Sequence, residues 1–173
     1  MRNVHWNRRT IVYVVEGETE KRLIEALKTD LRIIYPGKIR IFNVTQERIK
    51  EGLFMSCGQR VSFALVFDTD RVGVMRLKDN LEIMRKLSNC QEVICIPQVK
   101  NLEEELEYAC NLRDVRILTK SQSITDFKRD FLRLKDIGRV LSANNFNIAQ
   151  MWSHDAVGEY AEIKNESYKI KKC

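Results

Sequence analysis

Histidine is nearly missing from this 173-residue chain, and none of its five cysteines falls in a CxxC pair. His5 and His154 cannot be combined with Cys57, Cys90, Cys95, Cys110 and Cys173 into a local zinc-ligand spacing, so no zinc signature is assembled. The odd cysteine count argues against a disulfide framework and for a reducing, cytoplasmic setting. Cys95 lies in an apolar run and Cys110 on the apolar side of a predicted helix, which suits small buried hydrophobes. Long hydrophobic runs are lacking too. The longest, Ile11–Val15 and Phe63–Phe67, fall far below the roughly 20 residues of a membrane helix. The first ten residues carry Arg2, Arg8 and Arg9 with no apolar segment behind them, so neither a membrane span nor a secretion signal is expected. Two prolines and seven glycines give few breaks, and no repeat, low-complexity tract or long linker is present. No Ser/His/Asp triad has supporting context, and no cysteine has a placed partner for nucleophilic work.

What remains is an ordinary globular composition, 44% hydrophobic and 31% charged, at a length that suits one domain. The net charge of +6 points mildly to polyanionic partners, because phosphate contacts supply most non-specific nucleic-acid affinity. The basic clusters at Lys128-Arg129, Arg133 with Lys135, and Lys169–Lys172 are equally readable as solvated faces.

The periodicity predicts alternating strands and helices. Thr10–Val15 is a β-branched run ended by Glu16-Gly17, and Leu23, Ile24, Leu27, Leu31 and Ile34 then recur at helical spacing, predicting a helix from Thr19 to about Ile33. Tyr35-Pro36-Gly37 breaks it, Ile39–Val44 reads as a second strand, and a short helix is predicted within Gln46–Met55. Val61–Phe67 is the most apolar strand, followed by a helix over Val74–Leu87. A strand at Glu92–Ile96, stopped by Pro97, and a helix over Asn101–Asn111 complete the series. This order argues for an α/β fold with a mostly parallel four-stranded sheet flanked by helices, over residues 10–111 of a single domain. Residues 112–173 read as a mainly helical C-terminal extension, with helices at Ile124–Leu134 and Ile137–Ala143 and more helix around Trp152. Phe127 and Phe131 share a face and are expected in the core, Trp152 is expected buried, and His154 exposed.

Two acidic motifs follow apolar strands directly, where the carboxyl ends of parallel strands form a ligand crevice. In Glu16-Gly17-Glu18-Thr19-Glu20, Glu16 projects from the strand end, and Glu18 and Glu20 enter the first helical turn, where acids also complement the helix dipole. In Asp68-Thr69-Asp70-Arg71, the two aspartates at i and i+2 can share a cation, directly or through its waters, or can simply form an Asx turn. Arg71 can pair a carboxylate or meet a phosphate. Three carboxylates held together stay ionised only with a compensating cation, and a metal ion resolves that conflict.

Glu16-Gly17 after the first strand with Asp68-x-Asp70 after the third resembles the Toprim domain, shared by topoisomerases of types IA and II, bacterial primases, overcoming-lysogenization-defect nucleases and ribosomal-RNA maturation nucleases. The resemblance covers roughly Thr10 to Asn111, and the Glu16-Gly-x-x-Glu20 form is nearest the nuclease and primase branches. It implies that Glu16 is a metal ligand or general acid/base, that Asp68 and Asp70 hold Mg2+ or Mn2+, and that Glu20 helps bind a metal. The implied activity is metal-dependent cleavage of DNA or RNA. The primase zinc module, the topoisomerase tyrosine domain and an ATPase P-loop are not found in the chain, which leaves room for a protein partner. Beyond the two motifs, Glu103-Glu104-Glu105 with Glu107 follows the fourth strand. Asn101 is the expected N-cap there, and either Glu104 or Glu105 can complete a second metal position. Lys128, Arg129 and Arg71 are the candidate nucleic-acid contacts. Two readings compete with the nuclease: a Toprim-like binding module that is inactive or needs a partner, and a phosphatase of the haloacid-dehalogenase type. The latter family places Asp-x-Asp on its first strand, not its third.

Overall fold

The computed structural model describes residues 10–50 and 52–172. The basic positions Arg2, Arg8 and Arg9, with His5 and Cys173, lie outside the described residues. Four strands form the sheet: β1 (Thr10–Val15), β2 (Gly37–Ile41), β3 (Val61–Asp68) and β4 (Cys90–Gln98). Their order is β2-β1-β3-β4 and every pairing is parallel, so the sheet is wholly rather than mostly parallel. The helices are α1 (Glu18–Glu25), α2 (Val74–Arg85), α3 (Leu102–Cys110), α4 (Ile124–Arg133) and α5 (Ile137–Ala143).

Period-two burial builds two layers of core. Ile11, Tyr13 and Val15 of β1, with Ala64 and Val66 of β3 and Ile94 and Ile96 of β4, face α1 and α3. Val12, Val14, Phe63, Leu65, Phe67, Val93 and Cys95 face the opposite way, against Leu77, Leu81 and Met84 of α2. Both faces are covered, which explains why these strands read as unbroken apolar runs. The segment after α3 is part of this core. Phe127, Phe131, Leu141, Met151, Trp152 and Ile170 join the first layer, and Ala156, Tyr160 and Ile163 join the second. As the sequence suggested, Cys95, Cys110, Phe127, Phe131 and Trp152 are buried and His154 is exposed. Among the described residues, no helix is long and apolar enough to cross a membrane.

Several boundaries differ from the sequence reading. The first helix does not run regularly to Ile33; it gives way at Ala26 to a wider π turn ending at Asp30, closed by Leu31 N–H donating to the Ala26 carbonyl at 3.0 Å. Where a helix was expected over Gln46–Met55, the described residues form turns and open chain, and Met55 begins a short 3-10 turn to Cys57. The shape of this segment is set from outside by Asn80, whose amide donates to the carbonyls of Val44 and Glu47 and accepts from Ile49 N–H. The fourth strand continues through Pro97, which pairs in register with Phe67. β4 is an edge strand, where a residue with no N–H to give is tolerated. Around Trp152 the chain is turns and short 3-10 segments, not α-helix, so only the first part of the C-terminal extension is helical.

Candidate functional site

In the strand order β2-β1-β3-β4, the chain leaves β1 toward one edge of the sheet and leaves β3 toward the other. The crevice between the carboxyl ends of β1 and β3 is thus a topological switch point, where open parallel sheets hold their ligands. Glu16 follows the last residue of β1, and Asp68 is the last residue of β3. The backbone N–H of Asp68 donates to the Glu16 carboxylate, so the two motifs touch across the switch point.

The carboxylates of Glu16, Asp68 and Glu20 are gripped from the protein side. Glu16 accepts from the Thr45 hydroxyl at 3.2 Å and from Asn43 Nδ2 at 3.4 Å, both in the loop after β2. That loop is clasped by Asn80 and approached closely by Gly73, where a Cβ would lie 2.7 Å from the Thr45 carbonyl oxygen. Asp68 Oδ1 accepts from Gln98 Nε2 at 2.6 Å. The Asp68-Thr69-Asp70 turn is tied to the end of β4. Thr69 and Asp70 N–H donate to the Lys100 carbonyl, at 3.0 and 3.1 Å, and the Thr69 hydroxyl donates to the Gln98 carbonyl at 2.9 Å. Glu20, at the third helical position of α1, turns back to accept from Gly17 N–H, half of a capping box.

The electrostatics follow from burial and crowding. Desolvation raises Glu16 to about 7, against its hydrogen bonds from Thr45 and Asp68, with Glu20 and Asp70 adding repulsion. Desolvation raises Asp68 to about 8, opposed by the Gln98 hydrogen bond and reinforced by Glu16, Glu20 and Asp70. Glu20 is raised as well, chiefly by burial, with Glu103 pushing it up and Lys128 pulling it down. Asp70 is exposed at the rim and acts on both Glu16 and Asp68 as a charge. Tyr160, reaching in from the C-terminal segment, donates its hydroxyl to the Arg71 carbonyl at 2.9 Å. Burial and the charges of Glu159, Glu16 and Asp70 push that phenol to about 12. Arg71 itself is exposed next to this cluster.

No protein-family model, no curated protein and no solved structure matches the chain. The site therefore has to be read from its own chemistry.

The third acidic group divides its members differently from the sequence reading. Glu104 is exposed and pairs with Lys100 at 2.9 Å, while its N–H is capped by Asn101 as expected. Glu105 is buried and spends both oxygens on backbone, accepting from Val99 N–H at 2.8 Å and Trp152 N–H at 2.9 Å. Neither is among the leading charges acting on Glu16, Glu20 or Asp68. The member that faces the site is Glu103, 8% exposed and close enough to act on Glu20. Only the register of α3 selects it, so the run of acids in sequence could not. Lys128 Nζ lies 3.1 Å from Glu103 Oε1, an ion-pair approach that falls outside hydrogen-bond direction and leaves that buried oxygen without a donor. Partial burial pulls the Lys128 ammonium down, but Glu103, with Glu20 and Asp68 behind it, outweighs that and holds it above its ordinary value. Arg129 turns away to Asp126 at 2.8 Å and Asp130 at 3.0 Å.

Among the described residues, no group of three carboxylate, histidine or cysteine side chains stands in a metal-holding arrangement. The donor set nevertheless fits a hard divalent cation. Glu16, Asp68 and Asp70 offer only oxygens; burial and crowding by neighbouring charges penalise the ionised forms of Glu16 and Asp68, and a cation relieves both. The hydrogen bonds from Thr45, Asn43 and Gln98 are the outer contacts that orient ligating carboxylates. A cavity of about 360 Å³ between α1 and α5, lined by Arg22, Glu25, Lys28, Asp30 and Lys135, includes none of these carboxylates. Its cations and anions largely offset one another, whereas the switch-point crevice concentrates one sign of charge. The crevice is the better candidate site.

Proposed function

We propose that the chain is a Toprim-like, divalent-metal-dependent nuclease acting on DNA or RNA in the cytoplasm. The observation that carries this reading is the meeting of Glu16, Glu20, Asp68 and Asp70 at the switch point between β1 and β3. Glu16, Asp68 and Asp70 are the residues that would hold Mg2+ or Mn2+, with Glu20 able to join by turning away from the Gly17 N–H. When bound, the ion supplies charge neutralisation at a phosphodiester and Lewis acidity. The chain supplies the rest. Glu16 is positioned by Thr45, Asn43 and the Asp68 N–H, and is the group able to hold or release a proton near neutral pH. Lys128, beside Glu103 at the margin of the cluster, brings positive charge to a phosphate approaching the carboxylates.

The deciding experiment incubates the purified protein with labelled DNA and RNA, with and without Mn2+, beside an Asp68→Ala, Asp70→Ala double variant. Cleavage that needs the metal and disappears in the double variant supports the nuclease. Metal-independent binding with no cleavage, equal in parent and double variant, overturns it in favour of a binding module. Hydrolysis of a phosphomonoester without nucleic-acid cleavage overturns it in favour of a phosphatase.

A further inference from the structure

The left-handed backbone of Trp152, φ +52, is unusual for so bulky a residue, and its own N–H, carbonyl and indole N–H are all engaged. Its N–H donates to Glu105 Oε2 at 2.9 Å. Its carbonyl accepts from the Ser167 hydroxyl at 2.7 Å and from Asn165 Nδ2 at 3.0 Å. The indole Nε1–H donates to Gln98 Oε1 at 3.3 Å, and Gln98 Nε2 donates to Asp68 Oδ1 at 2.6 Å. Glu105 also takes the N–H of Val99, the residue after Gln98, so one carboxylate holds both sides of the Trp152–Gln98 contact. Trp152, Gln98 and Glu105 are 1%, 1% and 2% exposed.

The direction of this chain of bonds is forced. An indole N–H can only donate, so it fixes the carbonyl end of the Gln98 amide toward itself and turns the amide's N–H2 toward Asp68. Were the amide reversed, two donors would meet at the buried indole, which has no acceptor to offer. Asp68 Oδ1 is occupied as a result, and Oδ2 has no protein donor among the described residues.

We propose that Gln98 and Trp152 are positioning residues of the carboxylate site, fixing the Asp68 side chain so that Oδ2 is the oxygen offered to a divalent cation. This rests on the metal-site reading above and deepens it. It also gives the C-terminal segment a part in the site: Trp152 lies 84 residues beyond Asp68 in sequence yet determines which of its oxygens is free.

The test measures the Mg2+ or Mn2+ concentration that gives half-maximal thermal stabilisation, and separately the concentration that half-activates cleavage. Parent, Gln98→Leu, Trp152→Phe and Asp68→Asn are compared, with Gln98→Leu repeated in the Asp68→Asn background. Loss of an outer contact of this kind typically weakens metal binding by roughly 10–100-fold. Gln98→Leu is expected to raise both midpoints by about that factor, and Trp152→Phe to raise them in the same direction by less. In the Asp68→Asn background, Gln98→Leu should add nothing. A purely structural role would lower the melting temperature without metal and leave the midpoints where they were. If Gln98→Leu fails to fold, Trp152→Phe decides: it removes the donor while keeping an aromatic side chain, and the loss of volume shows in the metal-free melting temperature and not in the metal midpoints. Unchanged midpoints in folded variants, with Asp68→Asn still raising the metal midpoint, overturn this inference and leave the metal site standing. No metal-linked stabilisation even of the parent overturns both.

Discussion

Replacing Asp68 with asparagine changes how many protons the folded chain holds, and that number is legible in the pH dependence of stability. Burial raises Asp68 from 3.8 to about 8 and Glu16 from 4.5 to about 7. The folded chain therefore keeps both protons across a range where the unfolded chain has released them. The stability linked to those protons is fully present below the unfolded values and is lost as pH rises through about 7 and about 8. Between roughly pH 5.5 and 6.5, each such proton makes stability fall by about 1.4 kcal/mol per pH unit, so the pair contributes about 2.7. Taken over its whole shift, Asp68 alone is worth on the order of 5 kcal/mol. The two shifts share their mutual repulsion and do not simply add, and 5 kcal/mol is already comparable with the total stability of a small domain. The amide of the Asp68→Asn variant has no proton to release, and its oxygen still accepts from Gln98. Urea unfolding of both proteins in chelator, at several pH values, should give Asp68→Asn a slope shallower than the parent's by about 1.4 kcal/mol per pH unit. The two should be close to equally stable near pH 4 and the variant clearly the more stable near pH 8, with Mg2+ closing that gap by stabilising the parent. Parallel slopes would mean that Asp68 titrates as an ordinary surface carboxylate, and the buried cluster would be refuted.

In single-turnover cleavage at saturating metal, Glu16→Gln should lower the rate by roughly 10²–10⁴-fold with little change in nucleic-acid affinity; a parental rate would remove Glu16 from the chemistry. Anisotropy titrations across a salt series should find Lys128→Ala weakening nucleic-acid binding and reducing the salt slope by about one. Arg129→Ala, whose cation is already shared between Asp126 and Asp130, should do less, and equal effects would count against Lys128 as the phosphate contact. Glu105→Ala leaves two buried N–H groups, those of Val99 and Trp152, without acceptors and should cost about 2–6 kcal/mol in urea unfolding. A loss below about 1 kcal/mol would mean that water replaces the carboxylate.

Local pattern alone carried the architecture. The apolar runs Thr10–Val15 and Val61–Phe67 read as strands, the intervening helical spacing implied parallel crossovers, and Glu16 and Asp68 stood at strand ends by simple adjacency. Failures came where a distant residue overrode local preference. Pro97 looked like a stop because a missing N–H matters in a sheet interior, but β4 is an edge. Gln46–Met55 looked helical, but Asn80 supplies its backbone with partners from another element.

The candidate site divides along the same line. That two acidic motifs follow two strands is a property of the sequence. That those strands are neighbours, and that the chain departs from them in opposite directions, is a property of the sheet order β2-β1-β3-β4. The choice of Glu103 over Glu104 and Glu105 depends on which way α3 is rotated against the sheet. The Trp152–Gln98–Asp68 relay joins three segments far apart in the chain. Hydrogen bonds and charges act through space over a few ångströms, so sequence spacing reveals them only within a single strand or helix. The contacts of Glu16 with Thr45 and Asn43, of Asp68 with Gln98, and of Glu20 with Glu103 and Lys128 cross between elements, and packing decides them.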